Sequence, residues 1–253
     1  WDREWYRPAA CFQLRLARLT ARMLDRLESG DLPSFLLDGQ GIALEDVLAV
    51  RPDLAPRLRR HLANGRLEAG PWYVLADNLL VSGEAIVRNL LEGGKAVRRY
   101  GGKPMQVGYA PDAFGHPAAL PTILAGFGIR AAVTWRGFGG ERGQEYDLWR
   151  WHGPDGAEVL MMHLPRPGYE YGANLPTAPR AAKRRWDALR AMLEPRARSP
   201  HWLVLNGADH HAPQENLLEA VRALHDANSD CRFPIPDCRF VVSSLGAYAH
   251  AVQ

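Results

Sequence analysis

The chain has 253 residues, of which 47% are hydrophobic and 23% are charged, a balance typical of a globular protein rather than a disordered one. Its 31 basic and 28 acidic residues leave a net charge of +3, too small for a protein built to bind nucleic acid or an anionic membrane. The three cysteines (Cys11, Cys231, Cys238) cannot all pair and fit no zinc motif, which excludes a disulfide-built scaffold and favours a cytoplasmic location.

Helical periodicity alternates with strand-like runs along the chain. Apolar residues at three- and four-residue spacing predict an amphipathic helix over Ala10–Leu27, ended by Ser29-Gly30. Further helices are predicted over Leu44–Val50, Pro56–Asn64, Ser82 (as the cap) to about Tyr100, Pro117–Gly126, Ala181–Leu193, Glu215–Ala227 and Leu245–Val252. Strands are predicted over Phe35–Leu37, Leu67–Leu75, Gln106–Ala110, Ala131–Trp135, Asp147–Trp151, Glu158–His163, Trp202–Leu205 and Phe240–Ser243.

This alternation indicates an α/β fold made of βα units around a parallel sheet. With six or seven such units, a closed β/α barrel is favoured over an open doubly wound sheet. The turn Gly153-Pro-Asp-Gly156 separates two strand-like runs and indicates a hairpin or a longer strand excursion. We find no linker long enough to divide residues 1–253, so we expect one domain.

Several carboxylates follow predicted strands, where barrel enzymes place their active sites. Asp112 follows one strand, Asp209 another and Asp77 a third, whereas Asp2 lies near the first helix. Taken singly, such an aspartate is most often a helix cap or turn residue, and the histidines nearby are most often loop residues. Several carboxylates and many tryptophans on one rim of a barrel instead indicate glycoside hydrolysis, which uses paired carboxylates and aromatic surfaces that pack on sugars.

Five segments in order along essentially the whole chain resemble the N-terminal domain of glycosyl hydrolase family 38, the α-mannosidase family. They are Trp1-Asp-Arg-Glu-Trp-Tyr6, Gly70-Pro-Trp-Tyr73, Ser82-Gly-Glu84 with Arg88-Asn-Leu90, Pro111-Asp-Ala-Phe-Gly-His116, and Asn206-Gly-Ala-Asp-His210. The resemblance implies a seven-stranded, distorted β/α barrel whose first strand is missing from this chain. It also implies that residues 1–253 are the catalytic domain of a longer enzyme, with downstream domains as partners.

The resemblance implies a retaining α-mannosidase that hydrolyses terminal α-linked mannose through a covalent glycosyl-aspartate intermediate. In such an enzyme Asp112 is the nucleophile and also a zinc ligand, and Asp209 is the general acid and base. This chemistry requires two carboxyl groups about 5–5.5 Å apart. The expected substrate is a mannosylated oligosaccharide or glycoside.

The same resemblance places Asp2 as a second zinc ligand and Trp5 on the wall of the sugar site. It implies that Arg136 holds the nucleophile and that Tyr171 lies near the acid/base. One zinc ion would bind the sugar hydroxyls and help to distort the ring. Asp77 matches an aspartate that a glutamate follows in many relatives, but Asn78 stands in place of that glutamate here.

The expected zinc site is incomplete within this chain. The family uses a histidine just before Trp1 and another beyond Gln253, so only Asp2 and Asp112 are present unless His116, His210 or His211 substitutes. We therefore expect the chain alone to be inactive. Two alternatives stay open: a non-catalytic carbohydrate-binding or vestigial barrel domain, and a zinc-dependent polysaccharide deacetylase, which would need an Asp-Asp pair and a His-x-x-x-His motif that do not occur.

Overall fold

The structure, a computed structural model, describes residues 7–138, 144–209, 211–229 and 238–253. Its helices are α1 (Ala9–Ser29), α2 (Ile42–Val50), α3 (Ala55–Ala63), α4 (Gly83–Arg99), α5 (Leu120–Gly126), α6 (Pro179–Leu193), α7 (Leu217–Ser229) and α8 (Leu245–Val252). Its strands are β1 (Phe35–Leu36), β2 (Leu67–Glu68), β3 (Val107–Ala110), β4 (Ala131–Thr134), β5 (Leu148–His152) and β6 (Glu158–His163). Short 3₁₀ turns cover Pro52–Leu54, Gly168–Glu170 and Glu194–Arg196.

The strands form two sheets. Strands β1 and β2 pair in parallel, and the second sheet has the order β3-β4-β6-β5, with β5 antiparallel to β6. The α/β class is thereby confirmed. A closed seven-stranded barrel is not confirmed, because the strands within the described ranges make two separate small sheets.

The predicted strand over Leu67–Leu75 is much shorter in the structure and ends at Glu68. Two residues account for its end. Gly70 has a positive φ of 72°, which leaves the extended region, and Pro71 has no N–H to donate to a ladder.

The predicted strands over Trp202–Leu205 and Phe240–Ser243 do not pair with any strand among the described residues. Their apolar side chains pack on the core instead. The Trp202 ring stacks on that of Trp186 with centroids 6.2 Å apart, and Phe240 meets the same ring edge-on at 4.9 Å. An apolar run of this length indicates that its side chains are buried, and a packed loop can bury them as well as a strand can.

The helix predictions are confirmed within a few residues at each end. Helix α1 buries one apolar stripe that includes Met23, Leu24 and Leu27. The Ser82 side chain accepts a hydrogen bond of 3.2 Å from the Ala85 N–H and caps α4, as its position predicts. No helix in the described ranges is long and apolar enough to cross a bilayer.

The predicted hairpin is confirmed between β5 and β6. Its turn is closed by a 2.8 Å hydrogen bond from Gly153 N–H to the Ala157 carbonyl, and residues 154–156 are exposed. The turn lies at the amino end of β6. The carboxyl end of β6, at His163, is at the opposite edge of the sheet.

Strands β3 and β4 are buried along their whole length and run parallel to β6. Their carboxyl ends therefore meet at one edge, where the chain continues into Pro111-Asp112 after β3 and Trp135-Arg136 after β4. This edge, with the 3₁₀ turn that begins at Gly168, positions the side chains described next.

Candidate active site

Asp112 and Arg136 meet at the carboxyl ends of β3 and β4. Arg136 Nε lies 2.8 Å from Asp112 Oδ1, and both side chains are about two-fifths exposed, at 40% and 42%. The guanidinium also lies over the Trp135 ring, with Cζ 4.5 Å from the centroid, which limits its movement. A fixed guanidinium beside a carboxylate favours the ionised form of that carboxylate.

Tyr169 joins Asp112 to the second predicted catalytic residue, Asp209. Its hydroxyl lies 3.0 Å from Asp209 Oδ2 and 3.4 Å from Asp112 Oδ2. Because both oxygens lie so close to one hydroxyl oxygen, they are at most about 6.4 Å apart, a limit that includes the separation of about 5–5.5 Å that retaining glycosidases use. Burial, followed by the charges of these carboxylates, raises the pKa of Tyr169, so the phenol stays protonated and can donate.

Asp209 is also held through its backbone. Its N–H donates a 2.8 Å hydrogen bond to Oε1 of Glu170, the residue after Tyr169. The 3₁₀ turn that contains Tyr169 and Glu170 therefore contacts both the side chain and the main chain of Asp209. The carboxylate itself remains exposed to solvent.

Gly137 allows the loops that follow β3 and β4 to lie very close together. Its φ is 69°, and a Cβ on it would lie 2.4 Å from Cα of Gly115. Only glycine fits such a contact. The Arg136 N–H also donates to the Pro111 carbonyl at 3.4 Å, so the segment bearing Arg136 lies against the segment bearing Asp112.

Gly168 likewise allows the turn that contains Tyr169 to approach Trp135 closely. Its φ is 77°, and a Cβ there would lie 2.8 Å from the Trp135 indole. The close approach lets the Tyr169 ring meet the Trp135 ring edge-on, with centroids 5.6 Å apart and an interplanar angle of 89°. Trp135 therefore contacts both Arg136 and Tyr169.

The loop before α4 supports the segment that bears Asp112. Asp77 Oδ1 accepts a 3.3 Å hydrogen bond from the Phe114 N–H. Asn78 is buried, and its side-chain nitrogen lies 3.5 Å from Nδ1 of His116. Burial lowers the pKa of His116, and these contacts give Asp77, Asn78 and His116 supporting places beside the site.

Asp38 is a third carboxylate at this edge that the sequence interpretation missed. It follows β1, has a positive φ of 45°, and accepts a 3.0 Å hydrogen bond from Nε2 of Gln40. Partial desolvation by the surrounding protein and the charges of Asp209 and Asp112 raise its pKa to about 6, although much of the residue's surface stays in contact with solvent. Its position just after a strand is the same signal that singled out Asp112, but Asp38-Gly39 resembles an ordinary turn.

The structure does not bring Tyr171 into this group. The Tyr171 ring is buried and its hydroxyl donates to the Leu203 carbonyl, whereas Tyr169, two residues earlier, contacts the two carboxylates. Asp2, Trp5 and His210 lie outside the described residues, so their predicted places stay predictions. His211 is exposed, and its Nδ1 lies 2.7 Å from the Asp209 carbonyl oxygen.

The described residues do not by themselves make a metal centre. No group of three or more His, Cys, Asp or Glu side chains within those ranges is arranged to hold an ion. Asp112, the one member of the expected ligand pair that the structure describes, has one oxygen in the ion pair with Arg136 and the other near Tyr169.

Comparisons with known proteins identify the family to which the chain belongs. The Glycosyl hydrolases family 38 N-terminal domain matches residues 1–252. A putative mannosylglycerate hydrolase from Halalkalibacterium halodurans is 36% identical over 244 residues, which are 92% of this chain and 27% of that protein. Human alpha-mannosidase 2C1 is 32% identical over 174 residues, 68% of this chain and 16% of that protein.

A solved structure is similar over the full length. The crystal structure of an alpha-mannosidase from Enterococcus faecalis has a TM-score of 0.89 and 33% identity, and the match covers 100% of this chain and 28% of that one. The chain thus spans about a quarter of the length of the Halalkalibacterium and Enterococcus proteins. It belongs to glycosyl hydrolase family 38, and residues 1–252 are the N-terminal domain of that family.

Proposed function

We propose that this chain is the catalytic domain of a retaining α-mannosidase-type glycoside hydrolase. The observation that carries the proposal is the contact of one hydroxyl, that of Tyr169, with both Asp112 and Asp209 at 3.4 and 3.0 Å. That contact limits the distance between the two contacted oxygens to about 6.4 Å, which admits the separation of about 5–5.5 Å that retaining enzymes use. The names of the relatives support a mannose-containing substrate.

In this proposal Asp112 attacks the anomeric carbon and Asp209 protonates the departing oxygen. Arg136 holds Oδ1 of Asp112 at 2.8 Å, which leaves Oδ2 for the attack. When Asp209 carries its proton it can donate either to Tyr169 or to the leaving oxygen. A water molecule then attacks the anomeric carbon while Asp209 accepts a proton from that water, and the bond between the sugar and Asp112 breaks.

We also propose that zinc assists, with Asp112 and Asp2 as oxygen ligands from this chain. Bound there, zinc would supply a Lewis acid for the sugar hydroxyls. The metal content of the purified protein tests this directly by plasma mass spectrometry. Because only two of the expected ligands lie in residues 1–253, the measurement uses the full-length gene product. We expect about one zinc per molecule of the unmodified protein and a loss of zinc in both Asp2→Asn and Asp112→Asn; full zinc in both variants would contradict it.

The reaction is tested with an aryl α-mannoside. Since the chain spans 27% of the Halalkalibacterium relative, we propose that it acts within a longer polypeptide, and the assay should use the full-length gene product beside the chain alone. We expect proton NMR to show α-mannose as the first product. Appearance of β-mannose would overturn the retaining mechanism.

Two variants separate the roles of the carboxylates. Asp112→Ala should abolish turnover, whereas Asp209→Ala should retain turnover of substrates with a good leaving group and regain rate with added azide, because it lacks only the acid/base. Asp155→Asn, an exposed aspartate of the hairpin turn, is the matched control and should behave as the unmodified enzyme in these assays. Mannose binding without metal and without hydrolysis would favour a non-catalytic carbohydrate-binding domain instead.

A further inference from the structure

Two buried polar side chains, His163 and Arg196, lie behind the candidate site and have no part in the chemistry proposed above. His163 is the last residue of β6 and is 2% exposed, and Arg196 is 7% exposed. Arg196 donates from Nε to the Gln144 carbonyl at 2.9 Å and from Nη2 to the Tyr146 carbonyl at 3.0 Å. Nη2 also lies 3.1 Å from both the carbonyl oxygen and Nδ1 of His163.

The donor and acceptor capacities of these partners determine which ring nitrogen of His163 carries the proton. A guanidinium can only donate, so Nδ1, which faces Arg196, must offer a lone pair. The other ring nitrogen, Nε2, lies 3.0 Å from the Trp135 carbonyl oxygen, which can only accept. Both contacts are satisfied only by the neutral ring with its proton on Nε2.

Trp135 is the residue through which this arrangement reaches the candidate site. Its carbonyl oxygen accepts a hydrogen bond from His163 Nε2–H, and its ring packs edge-on against Tyr169 and lies under the Arg136 guanidinium. Arg136 in turn pairs with Asp112. A displacement of the Trp135 main chain would therefore move both the partner of the nucleophile and the hydroxyl that joins the two carboxylates.

We propose that Arg196 and His163 are positioning residues of the active site: Arg196 holds His163 as the Nε2–H tautomer, and His163 holds the Trp135-Arg136 segment against Asp112 and Tyr169. Burying a guanidinium is costly unless its donors find partners, and here those of Nε and Nη2 go to the segment before β5 and to the end of β6. Asp147 supplies a nearby negative charge. The catalytic consequence rests on the proposed function, but the tautomer and the hydrogen bonds do not.

The tautomer is measured on the unmodified chain, with no substrate or metal. Long-range proton–nitrogen NMR of the imidazoles at neutral pH distinguishes the two tautomers from the imidazolium, and the His163 signals are identified by their loss in His163→Gln. We expect a neutral ring with Nε2 protonated. A ring protonated on Nδ1, or on both nitrogens, would overturn the proposal whatever the protein's activity turns out to be.

The positioning step is measured at the Arg136 side chain. Its Nε–H, held by Asp112, should give a resolved proton–nitrogen resonance. His163→Leu, which can neither accept from Arg196 nor donate to Trp135, should lose this resonance or move it to the position of free arginines. His163→Gln, whose amide nitrogen can still donate to the Trp135 carbonyl, should retain it.

Leu58→Ala is the control for lost stability, because Leu58 is fully buried in α3 and is remote in sequence from the site. It should lower the midpoint of urea unfolding while the Arg136 resonance stays in place. An unchanged Arg136 resonance in folded His163→Leu would overturn the positioning role, as would equal loss in Leu58→Ala. If the His163 variants do not fold, the His163 ring signals are assigned by sequence-specific NMR, and Arg196→Met in the tautomer experiment decides. A mixture of tautomers is expected once the donor to Nδ1 is gone, and an unchanged Nε2–H form would contradict the role of Arg196.

Discussion

Tyr169 is the side chain at which the two candidate catalytic carboxylates converge, because its hydroxyl contacts an oxygen of each. Tyr171 has the same side chain and a different environment, since it is buried and bonded to the Leu203 carbonyl. The two tyrosines are a matched pair that separates a contribution to the site from a contribution to the core.

We predict that Tyr169→Phe lowers kcat for an aryl α-mannoside by roughly 10- to 100-fold, because it removes a preorganised donor between two carboxylates. Its unfolding midpoint should change little. Tyr171→Phe should instead cost about 1–2 kcal/mol of unfolding free energy, since it removes the hydrogen bond that the buried Tyr171 phenol donates to the Leu203 carbonyl. Steady-state kinetics and urea unfolding of both variants test this, and the opposite pattern would make Tyr171 the site residue.

Asp38 shows the electrostatic cost of placing three carboxylates together. Its pKa in the folded protein is about 6, above the value of about 3.9 expected for an unfolded chain. The folded state therefore binds more protons than the unfolded state between about pH 4 and pH 6, and this group's contribution to stability falls as the pH rises through that window.

We predict that Asp38→Asn raises the unfolding free energy at pH 7 by about 1 kcal/mol, a value reduced to allow for solvent screening at an exposed group, and changes it little at pH 4. Urea unfolding at both pH values measures the difference. Asp155→Asn is a control of opposite sign, because the Thr122 hydroxyl lowers the pKa of Asp155 and its loss should reduce stability at pH 7. A uniform effect of Asp38→Asn at the two pH values would show that its charge is not the cause.

Among the elements, the contact between the loops after β3 and β4 determines how near Arg136 comes to Asp112. Gly137→Ala would force a Cβ to within 2.4 Å of Gly115 at a φ of 69°. We predict a loss of about 2–4 kcal/mol, the sum of backbone strain and the separation of the two loops. Gly156→Ala, at a φ of 84° with nothing within 4 Å, should cost about 1 kcal/mol from strain alone.

Thermal or urea unfolding of the two alanine variants gives the comparison. The excess cost of Gly137→Ala over Gly156→Ala is the effect of the close approach, because both positions share the left-handed backbone. Equal costs would mean that the loops after β3 and β4 can move apart freely. In that case the Arg136 ion pair would not depend on Gly137.

The elements differ in how far the sequence predicts them. Helix α1 and the cap of α4 by Ser82 were predictable because periodicity and capping are local properties. The segment over Trp202–Leu205 was wrongly predicted as a strand, because pairing depends on a neighbour that local sequence does not reveal. Tyr169 was missed for a related reason, since the contact of its hydroxyl with Asp209 spans 40 residues.

For the molecule as a whole, Glu68 ties the first sheet to the last helix. At the end of β2, its Oε2 accepts from Leu245 N–H and its Oε1 from Gly246 N–H, both at 3.0 Å, across 177 and 178 residues. A carboxylate at a helix N-terminus also interacts favourably with the helix dipole. Helix α8 is therefore held by a side chain from a distant part of the chain.

We predict that Glu68→Ala speeds amide hydrogen exchange throughout α8 by roughly 10-fold or more, as expected for the loss of about 1–2 kcal/mol of capping interactions. Ser244→Ala, which removes the side-chain cap of the same helix, should have a smaller effect because it takes away one hydrogen bond instead of two. Exchange rates of α8 that do not respond to Glu68→Ala would mean that packing alone holds the helix.

The family could be predicted from the sequence because short motifs in a fixed order identify it. Asp112 and Asp209 were selected as candidate catalytic residues because they lie in those motifs. The barrel was inferred from a count of βα units, and a count does not show whether strands pair. Arg136 was placed beside Asp112 by resemblance, and the structure adds the reason for their proximity, which is the glycine contact behind them.

The hairpin turn between β5 and β6 has a practical consequence. Residues 154–156 are exposed and lie at the amino end of β6, away from the edge where the candidate catalytic side chains meet. Exposed turns of this kind tolerate inserted sequence well. A fluorophore or an affinity peptide placed between Pro154 and Gly156 would therefore immobilise or report on the domain while leaving the edge with the candidate catalytic side chains open.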